Sequence, residues 1–180
     1  MSGAEVKVVA VTGSNGKSTT TALIAHILRA AGRPVQAGGN IGRAALDLDP
    51  PAGRGTIVLE LSAYQIELAR SLAPDVALFL NLSPDHLDRH GGEGGYFAAK
   101  KRLFELGAPE VSVIGVDDRY GRFLAAAMRD RAQDGARVLP VSTTRRLRGA
   151  RGAVFMNKAF LVEWGAEAQA ASIDLRAAPA

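Results

Sequence analysis

The segment Val11-Thr12-Gly13-Ser14-Asn15-Gly16-Lys17-Ser18-Thr19-Thr20 gathers residue types that bind phosphate. An apolar run, Val6–Val11, leads into it and reads as a buried strand. Beyond it, Leu23, Ile24, Ile27 and Leu28 recur at helical spacing. A strand, a Gly-rich turn and Gly-Lys-Ser opening a helix form the layout of a phosphate-binding loop. Gly13 and Gly16 allow backbone turns that a Cβ disfavours. The loop amides and the helix N-terminus then face an anion. Lys17 is placed to reach the terminal phosphates as a point charge. The Ser18 hydroxyl is placed to ligand Mg²⁺. The generic spacing G-x-x-x-x-G-K-[ST] asks for Gly at position 11, where this chain has Val. The alternative is a Gly-rich turn that caps a helix and binds nothing. Gly-Lys-Ser-Thr sits where the helix dipole favours an anion, so a nucleoside triphosphate with Mg²⁺ is the preferred ligand.

Three further groups carry possible chemistry. Glu60 lies at the end of the apolar strand Thr56–Leu61. A carboxylate there is costly unless it is paired or binds a cation, and Mg²⁺ beside the phosphates would supply one. The alternative is a Glu that reaches solvent or caps a helix. The stretch Asn81-Leu82-Ser83-Pro84-Asp85-His86-Leu87-Asp88-Arg89-His90 holds two His and two Asp. It could hold or orient a second Mg²⁺, or contain only a satisfied His and a turn-capping Asp. Lys100 lies on a predicted helix, Tyr96–Leu106, where an exposed lysine is the plain reading. Near a metal pair it could instead add CO₂ and become a carbamate, an anionic oxygen ligand.

These residues need elements to position them. Strands are expected at Val6–Val11, Val35–Ala37, Thr56–Leu61, Val76–Leu80, Val111–Val116 and Val138–Val141. Helices are expected over Lys17–Ala31, Arg43–Leu48, Tyr64–Leu72, Tyr96–Leu106 and Arg119–Arg131. Ser83–Gly95 reads as a polar, Gly-rich loop. Alternating strands and helices predict an α/β fold, a mostly parallel sheet flanked by helices. Ligand groups should gather beyond the carboxyl ends of the strands. Gly13–Ser18, Asn40, Glu60–Ser62 and Asn81–His86 each follow a predicted strand. Near the end, Ala153–Val162 reads as a hairpin turning at Asn157-Lys158.

Bulk properties narrow the class. The chain has 180 residues, enough for one domain, with mean hydropathy near zero. It has no Cys, which removes disulfides and thiolate metal sites and favours a cytoplasmic setting. No segment reaches the roughly 18 apolar residues of a membrane span, and Met1–Glu5 lacks signal-peptide features. The net charge of +4 owes much to Arg129, Arg131, Arg137, Arg145, Arg146, Arg148 and Arg151. No aromatic residues interleave them, so a solvated basic surface is favoured over a nucleic-acid patch.

Taken together, five motifs resemble a known family. Thr12-Gly13-Ser14-Asn15-Gly16-Lys17-Ser18-Thr19, Gly38-Gly39-Asn40-Ile41-Gly42, Leu59-Glu60-Leu61-Ser62-Ala63-Tyr64-Gln65, Asp85-His86-Leu87-Asp88-Arg89 and Tyr96-x-x-Ala99-Lys100 occur in this order. They closely resemble the central ATP-binding domain of the Mur ligases. The resemblance is dense over Val6–Glu105 and thin after Asp118. The pairing of the second and third motifs resembles the branch that adds D-glutamate to UDP-N-acetylmuramoyl-L-alanine. The resemblance implies an ATP- and Mg²⁺-dependent acid–amino-acid ligase of peptidoglycan synthesis working through an acyl phosphate. It implies that Lys17 and the amides of Gly13, Ser14, Asn15, Gly16 and Ser18 bind the β- and γ-phosphates, with Thr19 capping the helix behind them. It places the first Mg²⁺ on Ser18 and Glu60, and the second on His86 and a carbamylated Lys100. Asn40, Ser62 and His86 would line the muramoyl-peptide side. Lys17, His86 and Lys100 would be the catalytic set. Such ligases have a uridine-binding domain before this one and a closing domain after it. Neither is expected within these 180 residues, which resemble a truncated central domain. Another Mur ligase, a folylpolyglutamate synthase-like ATPase domain and a non-catalytic nucleotide-binding module remain alternatives.

Overall fold

A computed structural model of the chain describes residues 6–51, 53–83, 90–132, 135–147, 151–165 and 168–177. The strands are β1 (Lys7–Thr12), β2 (Val35–Gly39), β3 (Thr56–Glu60), β4 (Val76–Phe79), β5 (Val111–Gly115), β6 (Arg137–Ser142), β7 (Ala153–Asn157), β8 (Phe160–Trp164) and β9 (Gln169–Asp174). The helices are α1 (Lys17–Ala30), α2 (Ala63–Leu68), α3 (Glu93–Glu105) and α4 (Arg119–Arg131). The strands form one nine-stranded sheet in the order β2-β3-β1-β4-β5-β6-β7-β8-β9. From β2 to β7 all neighbours are parallel, while β8 and β9 add antiparallel strands. The expected α/β architecture is therefore present.

Strand order explains the layering. The chain moves one way across the sheet through β1-α1-β2 and the other way through β3-α2-β4-α3-β5-α4-β6. Right-handed crossovers then place α1 on one face and α2, α3 and α4 on the other. The main core agrees. Ala10, Ala77, Phe79 and Ile114 of the strands pack with Ile66 of α2, Phe97, Leu103 and Phe104 of α3, and Leu124 and Met128 of α4. Phe97 meets Phe79 edge-on at 6.1 Å between ring centres. The direction reverses at β1, which lies between β3 and β4, so the loops after these strands open onto a shared crevice.

Several boundaries differ from the sequence reading, each for a local reason. The helix expected over Arg43–Leu48 is a single 3-10 turn, Ala45–Asp47, whose Leu46 is fully exposed and anchors nothing. α2 stops at Leu68 because Ala69 takes an extended conformation. α3 begins at Glu93, inside the expected loop, with Gly94 and Gly95 in its first turn despite their poor helix propensity. The hairpin β7–β8 is present, with Asn157 paired to Phe160 and the turn lying over Lys158-Ala159. Lys158 adopts φ of 56° there. Strand β9 is an element that periodicity did not indicate. Among the described residues no helix is long and apolar enough to cross a membrane.

Candidate active site

The turn after β1 is built as its composition demands. Gly16 sits at the N-cap of α1 with φ of 82°, a left-handed value that favours glycine. The first helical hydrogen bond runs from the Thr20 N–H to the Gly16 carbonyl at 2.9 Å. The amides of Lys17, Ser18 and Thr19 thus precede the helical ladder, at the positive end of the helix dipole. Gly16 caps without a side-chain bond, and Thr19 lies inside α1 on an exposed face. The capping role expected of Thr19 is therefore corrected: the cap position belongs to Gly16. Ser18 is exposed on the same turn. The Lys17 ammonium folds back and donates to the Ser14 carbonyl at 2.9 Å.

The turn is stitched to the loop after β4. Ser14 donates its N–H to the Asn81 carbonyl and its hydroxyl to the Ser83 carbonyl, each at 3.0 Å. The Ser14 Oγ also accepts from the Ser83 N–H at 3.0 Å. Asn15 receives the Asn81 side-chain oxygen on its N–H at 2.9 Å and donates its own amide to Ser83 Oγ at 2.9 Å. Neutral hydrogen bonds of this kind are worth about 1 kcal/mol each, so the set fixes the turn rather than merely decorating it.

Glu60 lies at the end of β3, next to β1, and is 2 % exposed. Its Oε1 accepts from the Asn40 side-chain amide at 3.2 Å. Its Oε2 is buried and, among the described residues, has no hydrogen-bond partner. A buried carboxylate oxygen left in that state suits a cation that is not part of the chain. Asn40 reaches it because its own N–H bonds the Glu60 carbonyl at 2.9 Å. The backbone comes that close only because position 39 is glycine. A Cβ on Gly39 would lie 2.3 Å from the Glu60 carbonyl oxygen, and its φ is 106°.

Ser62 follows β3 and caps α2. Its Oγ accepts from the Gln65 N–H at 3.3 Å, while Gln65 Oε1 accepts from the Ser62 N–H at 2.9 Å. This reciprocal pair is a capping box. Lys100, on α3, is 1 % exposed, not the surface lysine that spacing alone favours. Its Nζ donates to the Gly13 carbonyl at 2.9 Å and stands 4.4 Å from the centre of the Tyr96 ring. Helix α3 therefore delivers a cation directly behind the phosphate-type turn.

Lys17, Asn40, Ser62, Ala63, Tyr64, His90, Tyr96 and Lys100 line one cleft of about 170 Å³. Four of the five motifs thus meet at one end of the sheet, and Glu60 sits behind Asn40 at the same end. His86, with Asp85 and Asp88, falls outside the described residues. Among the described residues no three His, Asp or Glu side chains converge on a point. Sequence reasoning gave no separate role to His90, Tyr64 or Tyr96, which the packing of α2 against α3 brings into the cleft. A larger hollow of about 310 Å³, lined by Phe104, Met128 and Val138 among others, lies at the amino ends of β5 and β6, away from these groups.

The Mur ligase middle domain family model matches residues 11–152, and the chain belongs to that family. Among curated relatives, a UDP-N-acetylmuramoylalanine–D-glutamate ligase from Cereibacter sphaeroides is 60 % identical over 173 residues. That match covers 96 % of this chain and 37 % of the relative. The ligase of the same name from Ruegeria pomeroyi is 60 % identical over 170 residues, covering 94 % of this chain and 36 % of its own length. The chain thus spans a little over a third of these relatives. Among solved structures, a UDP-N-acetylmuramoyl-L-alanyl-D-glutamate–2,6-diaminopimelate ligase aligns with a TM-score of 0.70 at 23 % identity, covering 93 % of this chain and 39 % of that one. The MurF ligase of Thermotoga maritima in complex with ADP gives 0.62 at 21 % identity, covering 93 % and 40 %. At such identities these structures speak for the fold alone.

Proposed function

We propose that this chain is the ATP-binding middle domain of a ligase that joins D-glutamate to UDP-N-acetylmuramoyl-L-alanine. The observation that carries this reading is the convergence of the Gly13–Ser18 turn with Glu60 and Lys100 at one end of the sheet. The 60 % identity to ligases of that name supports the choice of substrates. ATP binding is in keeping with the ADP complex of the structurally similar MurF ligase.

In this reading Lys17 and the amides of Gly13, Gly16, Ser18 and Thr19 hold the phosphates, while the Ser14 and Asn15 amides, expected to join them, are already bonded to Asn81 and fix the turn. The acceptor carboxylate takes the γ-phosphoryl group, giving an acyl phosphate and ADP. The amine of D-glutamate then displaces phosphate to form the amide. Such chemistry asks the protein chiefly for positioning and charge neutralisation. Ser18 and Glu60 would hold one Mg²⁺, and the orphaned Oε2 of Glu60 fits that role. His86 and a carbamylated Lys100 would hold another. Bound Mg²⁺ would supply neutralisation of the phosphoryl oxygens. Carbamylation requires the Lys100 ammonium to lose one proton, after which the neutral amine adds CO₂ and releases a second, exchanging a buried cation for an anion. Asn40, Ser62 and His86 would face the acceptor. Asn40 also steadies Glu60, and Ser62 also caps α2.

Incorporation of labelled D-glutamate by the complete ligase, with release of phosphate, tests the assignment. Turnover with a folate and L-glutamate in place of these substrates would overturn it.

A further inference from the structure

His90 stands immediately before α3 and has no role in the scheme above. Its side chain is 3 % exposed. The ring is held on three sides. It stacks on Tyr64 at 5.4 Å between ring centres and 24° between planes, and leans on Tyr96 at 5.3 Å. Its Nδ1 lies 3.4 Å from Glu67 Oε1. The other nitrogen, Nε2, is buried and has no hydrogen-bond partner among the described residues. A buried ring nitrogen left unsatisfied forfeits its hydration without replacement, which asks for an explanation. His90 lines the cleft shared by Lys17, Asn40, Ser62 and Lys100, so a molecule in that cleft can supply the missing partner.

The surroundings define the chemistry of that partner. Lys17 from α1 and Lys100 from α3 make the cleft cationic, while Tyr64 and Glu67 come from α2 and Tyr96 from α3. An anion suits this wall. An imidazolium donates from both nitrogens, so Nδ1 can serve Glu67 while Nε2 is left for a ligand. Tyr64, on which His90 stacks, belongs to the same helix start as Ser62, and both line the cleft. We propose that His90 is a substrate-binding residue whose Nε2–H donates to the anionic acceptor substrate, with Glu67 as the positioning residue that sets its ring. This inference rests on the ligase reading above.

The test uses the complete ligase that carries this chain. His90→Phe keeps a ring between Tyr64 and Tyr96 but removes the donor, whereas His90→Gln restores an N–H near the Nε2 position. The expected result for His90→Phe is a rise of about tenfold in KM for UDP-N-acetylmuramoyl-L-alanine, the lower end for loss of a bond to a charged group. The KM values for ATP and D-glutamate stay within twofold, and His90→Gln recovers most of the loss. An unchanged acceptor KM, an equal rise for all three substrates, or no recovery with glutamine would overturn the proposal. The ¹⁵N resonance of His90 Nε2 gives a readout independent of turnover. A shift on adding UDP-N-acetylmuramoyl-L-alanine without nucleotide supports the contact, and no shift overturns it. Failure of the unsubstituted enzyme to add D-glutamate is a different outcome, which removes the ligase reading itself.

Discussion

At the scale of single residues, Lys17 and Glu60 separate binding from stability. Among the described residues the Lys17 ammonium bonds only its own turn, at the Ser14 carbonyl, in a partly buried setting. Lys17→Ala is expected to leave thermal unfolding unchanged within about 0.5 kcal/mol, while nucleotide affinity by titration falls at least about tenfold. Intact affinity would remove the phosphate role of the turn. Glu60 predicts opposite signs in one variant. Glu60→Gln keeps the acceptor for Asn40 and removes a buried charge whose second oxygen has no partner among the described residues. Melting temperature without Mg²⁺ should hold or rise, because an uncompensated buried carboxylate opposes folding. The tightening of nucleotide binding by Mg²⁺ should disappear. A lower melting temperature with Mg²⁺ dependence intact would count against the cation role.

Elements rather than residues decide the next two outcomes. Strands β2 and β3 approach closely at Gly39, where an added Cβ would lie 2.3 Å from the Glu60 carbonyl oxygen. Gly39→Ala should therefore cost about 2 kcal/mol or more in denaturant unfolding, and should also disturb the Asn40–Glu60 contact. Asp117, just after β5, fastens that strand end to the segment after β6. It accepts from the Thr143 N–H, Thr143 Oγ1 and Thr144 Oγ1, each at 2.8 Å, and from Ser142 Oγ. Partial burial pushes its carboxyl up, but these donors outweigh burial and hold it well below the ordinary 3.8. A depressed carboxyl contributes stability above the unfolded value and loses it as pH falls through the folded one. Asp117→Asn should thus lower stability by about 1 kcal/mol at pH 7, with the gap to the natural protein closing as pH drops below about 4. A gap that widens in acid would contradict this.

The same elements show how far the sequence could be read. The Val-rich runs and the Lys17–Ala30 periodicity located the parallel strands and the first helix, since burial on both faces leaves a strong apolar signal. Glu93–Gly95 reads as loop because two glycines mask a helix start that tertiary packing imposes. β9 was missed because five of its residues, Gln169–Ile173, are exposed and carry no alternation. Lys100 could be named from a motif, but its burial beneath Gly13 comes from the docking of α3 and has no local signature. His90 needed α2 and α3 packed together before its two nitrogens could be told apart.

At the scale of the whole molecule, the site occupies the end of the sheet where the loops after β1, β3 and β4 meet. The chain spans a little over a third of its curated relatives. Leu23 and Ile27 on α1 are each 55 % exposed, and Leu68 at the end of α2 is 81 % exposed. This chain alone, given ATP, Mg²⁺, UDP-N-acetylmuramoyl-L-alanine and D-glutamate, should release no phosphate above background. Ligation by these 180 residues would refute that. The bonds joining Ser14 and Asn15 to Asn81 and Ser83 have a consequence for how two ligands sense each other. Ordering either loop draws the other along, so under the proposed function a nucleotide seated on the first lowers the entropic cost of seating a second ligand against the other. Such linkage is mutual: the factor by which one ligand sharpens the affinity of the other must equal its converse.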